Sequence, residues 1–411
     1  MTLPNRPLLN ANLRWFLAGM ILANIAGQML YSMLSLYMIN LGAQVAEVGL
    51  VFTLASLVPM ALQIFGGWLS DTIGRLRVMA LGSSIAVFGY AIIALATSWE
   101  WVLLGLSVEY VSNSVVGPSF GAYISEQSDE SQRGRVFGVT SSIYMTVTVI
   151  GPALAGLLAN RFGFKFMMSV ALAFYFAATI VRVWMATSEH FAAKQDAEKP
   201  TWEGFRTQIS AVFTLLLAGG ILTWIWITDA IGDTAANMID QLTPIYLSDI
   251  GSLNVEQIGY INAVRGLAVI IVSPLAGRLV DRSSERVSIV AGFILQAIGM
   301  SLFLFSETLV GFGAAMLFSG AAVGCLIPGY DSLISKVVPE ERRGLAFGLF
   351  GTTLGILSLP MPWIGAQLWE RYSPQTPYSF VFIACLISII IVWSKFRLPK
   401  QSEDAAVASS S

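Results

Sequence analysis

Four polar side chains recur at helical spacing in the otherwise apolar stretch "WITDAIGDTAANMIDQL", which covers residues 226–242. They are Asp229, Asp233, Asn237 and Asp240. At 100° per residue these side chains fall within an arc of about 80° on one face of a helix. Because carboxylates attract cations and can exchange protons, this stripe indicates a binding or proton-transfer site.

Other apolar stretches carry comparable polar groups. A stripe of Asn24, Gln28, Tyr31 and Ser35 lies 209 residues before the first one, so that Asn24 pairs with Asp233 and Gln28 with Asn237. Further polar residues within apolar surroundings are Glu109, Tyr110, Asn113, Tyr330 and Asp331. We expect Glu109 to take up and release a proton, because burial disfavours the charged form of an acid.

Two arginines also lie within apolar stretches. Arg265 is placed to be the counter-ion of Asp233 or Asp240, either as part of the coupling site or as a structural ion pair. Asp240 and Asp229 have the alternative of meeting water near the two ends of their stretch. Arg182 lies near the end of its stretch, and we expect its long side chain to reach the water there.

The elements that must position these groups are membrane helices. The chain of 411 residues is 55% hydrophobic and 12% charged, whereas a soluble domain has about 25% charged residues. Apolar segments of about 20 residues cross a membrane as helices, because the backbone polar groups must bond internally there. The sequence therefore predicts an all-α integral membrane protein with twelve transmembrane helices. These spans, numbered 1 to 12, are predicted at 13–39, 47–69, 78–97, 100–123, 135–160, 164–187, 216–247, 256–279, 287–306, 309–335, 345–369 and 378–396.

The basic residues give this topology a direction. Eighteen of the 23 lysines and arginines lie on the side that holds both chain ends, and only Arg161, Lys165 and Arg371 lie in the opposite loops. The positive-inside rule then predicts a cell-membrane protein with both termini in the cytoplasm. We expect an N-terminal half at 1–187, a cytoplasmic linker at 188–210, a C-terminal half at 211–400 and a disordered cytoplasmic tail at 401–411.

The two halves repeat each other at an offset of 210 residues. Part of "GGWLSDTIGRLRV", residues 66–78, recurs in "AGRLVDRSSERV", residues 276–287. The same offset relates Gly49 to Gly259 and Pro152 to Pro362. A single offset across so many turns predicts two pseudo-symmetric six-helix halves with the same orientation.

With this loop motif the chain resembles a major facilitator superfamily (MFS) transporter. The signature Gly-x-Leu-Ala/Ser-Asp-x-x-Gly-Arg is met in the loop between spans 2 and 3, and a second copy without its last glycine follows span 8. The resemblance implies a cytoplasmic gate motif at Gly67, Asp71, Gly74, Arg75, Arg77, Glu126, Gly277, Asp281 and Arg282. It further implies that Asp71, Arg75 and Glu126 form a latch. The second copy is degraded, because Ser284 replaces the glycine and Glu285 stands in the place of Arg75.

Span 5 resembles the fifth helix of the proton-coupled drug and metabolite efflux branch. The residues that carry this likeness are Gly151, Pro152 and Gly156. In the superfamily, helices 1, 4, 7 and 10 line the central cavity, which implies that the polar stripes face it. The proton-coupling and charge group is then Glu109, Asp233, Asp240, Arg265 and Asp331. The substrate-cavity group is Asn24, Gln28, Tyr31, Asn113, Asp229, Asn237 and Tyr330.

These features predict a secondary transporter that works by alternating access. Because the chain has no Walker-type phosphate loop, we expect ion coupling instead of ATP hydrolysis, with protons as the coupling ion. Export of hydrophobic or cationic compounds is the leading hypothesis. The alternatives are proton-coupled uptake of a sugar or other metabolite and a non-transporting sensor of the same fold. We expect a monomer in a lipid bilayer with a small-molecule substrate. Enzymatic activity, a metal, a cofactor and nucleic-acid binding are not expected.

Overall fold

The structure, a computed structural model, describes residues 9–129, 132–188, 220–338 and 343–396, without the side chains of residues 58, 60–72, 118, 343–345, 347 and 349. Nearly all of the predicted linker and the whole predicted tail lie outside these residues. The first half contains α1 Ala11–Asn40, α2 Val45–Ile73, α3 Arg75–Leu95, α4 Trp99–Glu126, α5 Arg133–Phe162 and α6 Phe164–Thr187. The second half contains α7 Ile221–Ile239, α8 Thr243–Asp249, α9 Val255–Arg282, α10 Glu285–Phe305, α11 Leu309–Val337, α12 Arg343–Ser358, α13 Met361–Arg371 and α14 Thr376–Lys395.

Each predicted span contains a described helix, but spans 7 and 11 are each divided into two helices. Span 7 comprises α7 and α8, and span 11 comprises α12 and α13 with Pro360 between them. Among the described residues, eight helices are long and apolar enough to cross a membrane: α1, α3, α5, α6, α9, α10, α11 and α14. The observed fold is therefore the expected all-α membrane architecture, with two spans interrupted.

Local sequence signals set the helix ends. The Asn10 side chain accepts a hydrogen bond from the Leu13 backbone nitrogen at 2.7 Å, which satisfies an open donor at the start of α1. Asn254 and Gln257 form a capping box at the start of α9. Gly74 has a φ of 102° and separates α2 from α3, a conformation that side chains other than glycine rarely adopt.

The same helix contact occurs once in each half, at positions related by the 210-residue offset. A methyl group added to Gly89 of α3 would lie 2.7 Å from the Gly105 carbonyl oxygen of α4. A methyl group added to Gly299 of α10 would lie 2.9 Å from the Ala315 carbonyl oxygen of α11. Both helix pairs approach closely because neither glycine has a side chain.

The two halves meet through a second pair of equivalent contacts. A methyl group on Gly49 of α2 would lie 2.5 Å from the Pro362 carbonyl oxygen of α13. A methyl group on Gly259 of α9 would lie 2.6 Å from the Pro152 carbonyl oxygen of α5. The repeated glycines and prolines of the sequence thus form two symmetry-related contacts between the halves.

These contacts lie at one side of the molecule. We call the side where α1 begins and α14 ends the terminal face, and the other side the opposite face. Near the opposite face, the Ala46 backbone nitrogen donates to the Glu370 carboxylate at 2.8 Å, and the Asn160 amide donates to the Glu256 carboxylate at 3.0 Å. The halves are therefore joined at the opposite face in this structure.

Candidate functional site: one cavity in each half

Each half lines a partly open cavity, and the described walls of the two cavities have no residue in common. The N-half cavity has a volume of about 540 Å³ and is lined by α1, α3, α4, α5 and α6. Its wall residues on α4 and α5 run from the middle of each helix toward the terminal face. The C-half cavity has a volume of about 420 Å³ and is lined by α7, α9, α10, α11, α12 and α14, with Thr243 of α8 at its edge.

Glu109 is the central acid of the N-half cavity. Its side chain is only 1% exposed. The Tyr31 hydroxyl donates to one carboxyl oxygen at 2.5 Å, and the Asn113 amide donates to the other oxygen at 2.5 Å. The structure therefore joins three of the predicted residues, from α1 and α4, in one hydrogen-bonded cluster that can hold Glu109 in a fixed position.

Close packing of α3 against α4 fixes the backbone beneath Glu109. A methyl group on Gly89 would lie 3.1 Å from the Glu109 backbone nitrogen, so any larger residue there would push α4 away. One turn further along α4, the buried Ser112 hydroxyl donates to the Gly82 carbonyl oxygen of α3. The position of the acid thus depends on small residues that carry no chemical signal of their own.

Arg182 does not reach the water at the helix end, so that prediction was wrong. The side chain is only 6% exposed and lines the N-half cavity. Its guanidinium donates to the Ser83 hydroxyl at 2.5 Å and lies 5.7 Å from the Phe120 ring centroid and 6.0 Å from that of Tyr175. The hydroxyl and the two rings hold the cation inside the protein.

The C-half cavity collects the carboxylates predicted from the sequence. Asp229, Asp233 and Asp240 lie in its wall together with Asp331. Asp233 accepts a hydrogen bond from Ser358, which connects α7 to the end of α12. The cavity therefore has a strongly acidic wall that would attract cationic groups or protons.

Two further contacts connect elements of the C-half cavity, and one of them identifies the partner of Arg265. Arg265 pairs with Asp240 at 3.3 Å, and among the described ion pairs it has no contact with Asp233. The Tyr330 hydroxyl donates to the Thr228 hydroxyl at 2.9 Å, which joins α11 to α7. Of the two partners considered for Arg265, the structure therefore selects Asp240.

Two predicted cavity residues lie elsewhere. Gln28 is absent from both described walls because α5 covers it: a methyl group on Gly151 would overlap the Gln28 Cβ atom. Asn237 is also absent from both walls, and its amide donates to the Asp233 carbonyl oxygen at 2.9 Å. Asn24 lines the N-half cavity, and its amide donates to the Met20 carbonyl oxygen at 2.9 Å.

The span 5 motif has two separate structural roles. Gly151 permits the close approach of α5 to α1 within the first half, as the Gln28 contact shows. A methyl group on Gly156 would lie 2.8 Å from the Val255 carbonyl oxygen of α9, so this glycine permits the contact between the halves. Pro152 supplies the carbonyl oxygen that faces Gly259 across the same interface.

The gate motif lies at the terminal face. Arg75 pairs with Glu126 at 3.1 Å, which connects the start of α3 to the end of α4. The Asp71 side chain lies outside the described residues, so the proposed third member of the latch is not described. Arg77, Asp281 and Arg282 are exposed. A methyl group on Gly277 would meet no atom within 4 Å, so no close helix approach requires this glycine.

The second copy of the motif, which departs from the signature at Ser284 and Glu285, forms an ion pair of its own. Lys336 pairs with Glu285 at 2.5 Å, and the Ser332 hydroxyl donates to the same carboxylate at 3.0 Å. Ser284, which replaces the glycine, accepts a hydrogen bond from the Val287 backbone nitrogen and caps α10. The C-terminal half therefore has its own ion pair at the corresponding place.

Four residues in or near the two cavities escaped the sequence reasoning. The sequence places Arg182 at the water boundary, and it does not single out Ser83, Thr228 or Ser358. Single hydroxyl residues occur throughout membrane helices, where they usually bond to the backbone of their own helix. Their presence in the sequence therefore does not indicate a functional site. An arginine within an apolar stretch is a signal by itself, and for Arg182 its nearness to the helix end obscured it.

Two helical halves that meet at one face, with cavities among membrane-spanning helices that contain charged and polar side chains, define a membrane transport protein. The chain belongs to the Major Facilitator Superfamily, whose family model matches residues 16–264 and 234–410.

Named relatives and solved structures agree with this family. The chain is 26% identical to "Multidrug resistance protein MdtG" of Proteus mirabilis, over 95% of this chain and 97% of that protein. It is 23% identical to "Na(+), Li(+), K(+)/H(+) antiporter" of Planococcus maritimus, over 87% of this chain and 91% of that protein. The crystal structure of a mutant of the nucleoside transporter NupG shares the fold, with a TM-score of 0.78, 14% identity and coverage of 94% of this chain and 100% of that chain.

Proposed function

We propose that this protein is a proton-coupled exporter of small hydrophobic or cationic compounds, acting as a monomer by alternating access in the cell membrane. The observation that carries this proposal is Glu109, a buried carboxyl group held by Tyr31 and Asn113 in the wall of a cavity. A buried carboxyl that gains or loses a proton changes its charge where charge is costly, and so it can bias a two-state equilibrium. The multidrug and proton-antiport names of the two relatives support the same class of activity.

The predicted topology supports loading of the compound from the cytoplasm. With 18 of the 23 basic residues on the side of the chain ends, the terminal face lies in the cytoplasm. The halves are joined at the opposite face, so the structure represents a state in which the N-half cavity is directed toward the cytoplasm. A compound would enter from that side, and rearrangement of the halves across the linker would release it outside.

The C-half cavity supplies the affinity for cations in this mechanism. Asp229, Asp233 and Asp331 share one wall, and Met300, Met316 and Phe293 provide an adaptable apolar surface beside them. A compound with a positive charge and an aromatic body would match both surfaces. Protonation of an acid in this wall would weaken its hold on the same compound, which couples release to proton uptake.

The test is a flux assay in proteoliposomes with a fluorescent cation, ethidium, as the probe. The parent protein is expected to accumulate ethidium against its gradient only when a pH gradient is imposed. Glu109→Gln and Asp233→Asn are expected to abolish this accumulation, because neither replacement can exchange a proton. Glu100→Gln is the matched control, since Glu100 lies exposed at the start of the same helix as Glu109.

Three outcomes would contradict the proposal. Full gradient-driven flux in both Glu109→Gln and Asp233→Asn would show that other residues couple the proton. Flux that runs down the proton gradient into the cytoplasm, with sugars or other metabolites as substrates, would support uptake instead. If a broad panel of compounds binds but none moves, the protein is a sensor with the same fold.

A further inference from the structure

The N-half cavity contains a cation that has no anionic partner among the described residues. Arg182 forms none of the described ion pairs, and its described contacts include the Ser83 hydroxyl and the Phe120 and Tyr175 rings. A buried guanidinium without a carboxylate is costly, and the neutral hydroxyl compensates only part of its charge. The positive charge is thus available to a ligand in the cavity.

A second group in the same wall also has a free hydrogen-bonding position. Tyr90 is 2% exposed, and its hydroxyl is buried without a hydrogen-bond partner in the described residues. The Tyr90 ring stacks on Tyr175 with a centroid distance of 4.5 Å, and Tyr175 is one of the rings beside Arg182. An unused hydroxyl donor and an uncompensated guanidinium therefore lie on one aromatic patch.

The acid of this cavity does not compensate the arginine. Both Glu109 oxygens accept hydrogen bonds, one from Tyr31 and one from Asn113, and no described ion pair joins Glu109 to Arg182. The cavity wall also contains the apolar side chains of Met20, Val116 and Phe120, and the Phe120 ring lies beside the guanidinium. A bound compound would therefore meet a positive charge in a cavity that also has apolar wall residues.

We propose that the Arg182 guanidinium and the Tyr90 hydroxyl form an anion subsite, which binds the sulfonate, carboxylate or phosphonate group of an amphipathic organic compound. This subsite deepens the proposed transport function, on which its physiological meaning rests, by adding organic anions and zwitterions to the substrates. The aromatic rings beside the arginine would hold the apolar body of the same compound. Charged hydrogen bonds from arginine to such oxygens are among the strongest that a cavity can offer.

The test compares two fluorescent probes that share one ring skeleton. 1-Anilinonaphthalene-8-sulfonate has a sulfonate, and N-phenyl-1-naphthylamine lacks it. Each probe is titrated against the full chain in phosphatidylcholine nanodiscs without any ion gradient, with empty nanodiscs subtracted, so that no anionic headgroup competes. Because no flux is measured, the result is independent of whether the protein transports anything.

Arg182→Gln is expected to weaken binding of the sulfonate probe by about tenfold, or about 1.4 kcal/mol, and to leave the neutral probe within about twofold. Tyr90→Phe is expected to weaken the sulfonate probe by about threefold, since one hydrogen bond is lost. Arg182→Lys is expected to retain part of the preference for the anion. Arg371→Gln is the control, because Arg371 is exposed at the end of α13.

Equal weakening of both probes by Arg182→Gln would overturn the proposal, because it would show a structural role for the arginine. Unchanged binding of the sulfonate probe in both Arg182→Gln and Tyr90→Phe would overturn it as well. If Arg182→Gln does not fold, the test rests on Tyr90→Phe, which removes a hydroxyl without a described partner and leaves the stacked ring in place. Unchanged binding of the sulfonate probe in Tyr90→Phe would then overturn the proposal.

Discussion

Glu285 and Lys336 form an ion pair at 2.5 Å, and they stand 210 residues after Arg75 and Glu126, which pair at 3.1 Å in the first half. The repeat therefore keeps the ion pair but exchanges the charges: an arginine at the start of α3 corresponds to a glutamate at the start of α10. The carboxylate of the second pair is 2% exposed, whereas Lys336 is 57% exposed. The second pair thus fastens α10 to α11 as the first pair fastens α3 to α4.

A double-mutant cycle measures this second pair. Glu285→Gln, Lys336→Met and the double variant are expected to give a coupling of about 0.5 to 3 kcal/mol in thermal unfolding, because the two charges touch. Lys336→Met alone is expected to destabilise more than Glu285→Gln alone, since it leaves a buried carboxylate with Ser332 as its only remaining described side-chain partner. Strictly additive effects would show that the pair does not contribute to stability.

The Arg75–Glu126 pair is expected to act on the conformational cycle. Glu126→Gln should lower the turnover of the transported probe severalfold while its binding affinity stays within about twofold, since the pair lies outside both cavities. Asp71→Ala should have the same effect if Asp71 belongs to the latch, as the family resemblance implies. Turnover in proteoliposomes and binding in nanodiscs are measured on the same preparations. A large loss of affinity would refute this role.

The contact between α5 and α9 is expected to control opening at the opposite face. Gly259→Ala places a methyl group 2.6 Å from the Pro152 carbonyl oxygen, an overlap that costs about 1–3 kcal/mol in the joined state. The halves should therefore separate at this face more often. A cysteine introduced at Asn160, with Cys325 and Cys385 replaced by alanine, should react faster with a membrane-impermeant maleimide.

Gly277→Ala is the control for that experiment, because Gly277 lies in the same helix and a methyl group there meets no atom within 4 Å. Its labelling rate should equal that of the parent. An unchanged labelling rate in Gly259→Ala would indicate that the interface adapts to the methyl group and that this glycine does not limit the opening.

Arg265 and Asp240 are expected to be a structural pair. Both side chains are partly exposed, at 36% and 41%, so Asp240→Asn should cost under about 1 kcal/mol in unfolding free energy. Gradient-driven ethidium flux should continue in this variant, in contrast to Asp233→Asn. Loss of flux with normal stability would place Asp240 in the coupling site and contradict the assignment.

The sequence by itself determined the class of fold. Apolar stretches of membrane length, the bias of basic residues and the 210-residue repeat follow from the cost of placing backbone and charges in hydrocarbon, which acts on each segment separately. The cost of a charge within an apolar stretch also indicated Glu109, Asp233 and Asp331 as functional candidates. It also supplied the pairs Gly49 with Gly259 and Pro152 with Pro362, which the structure places in equivalent contacts between the halves.

Only the tertiary structure decided which of these groups meet. That Tyr31 reaches Glu109 depends on the packing of α1 and α4, and the absence of Gln28 from both cavity walls accompanies the close approach of Gly151 of α5. The orientation of Arg182 into a cavity depends on Ser83 of α3 and on the rings of Phe120 of α4 and Tyr175 of its own helix, α6. Helical periodicity fixes the face on which a residue lies, but the partner on that face is set by contacts between segments far apart in the chain.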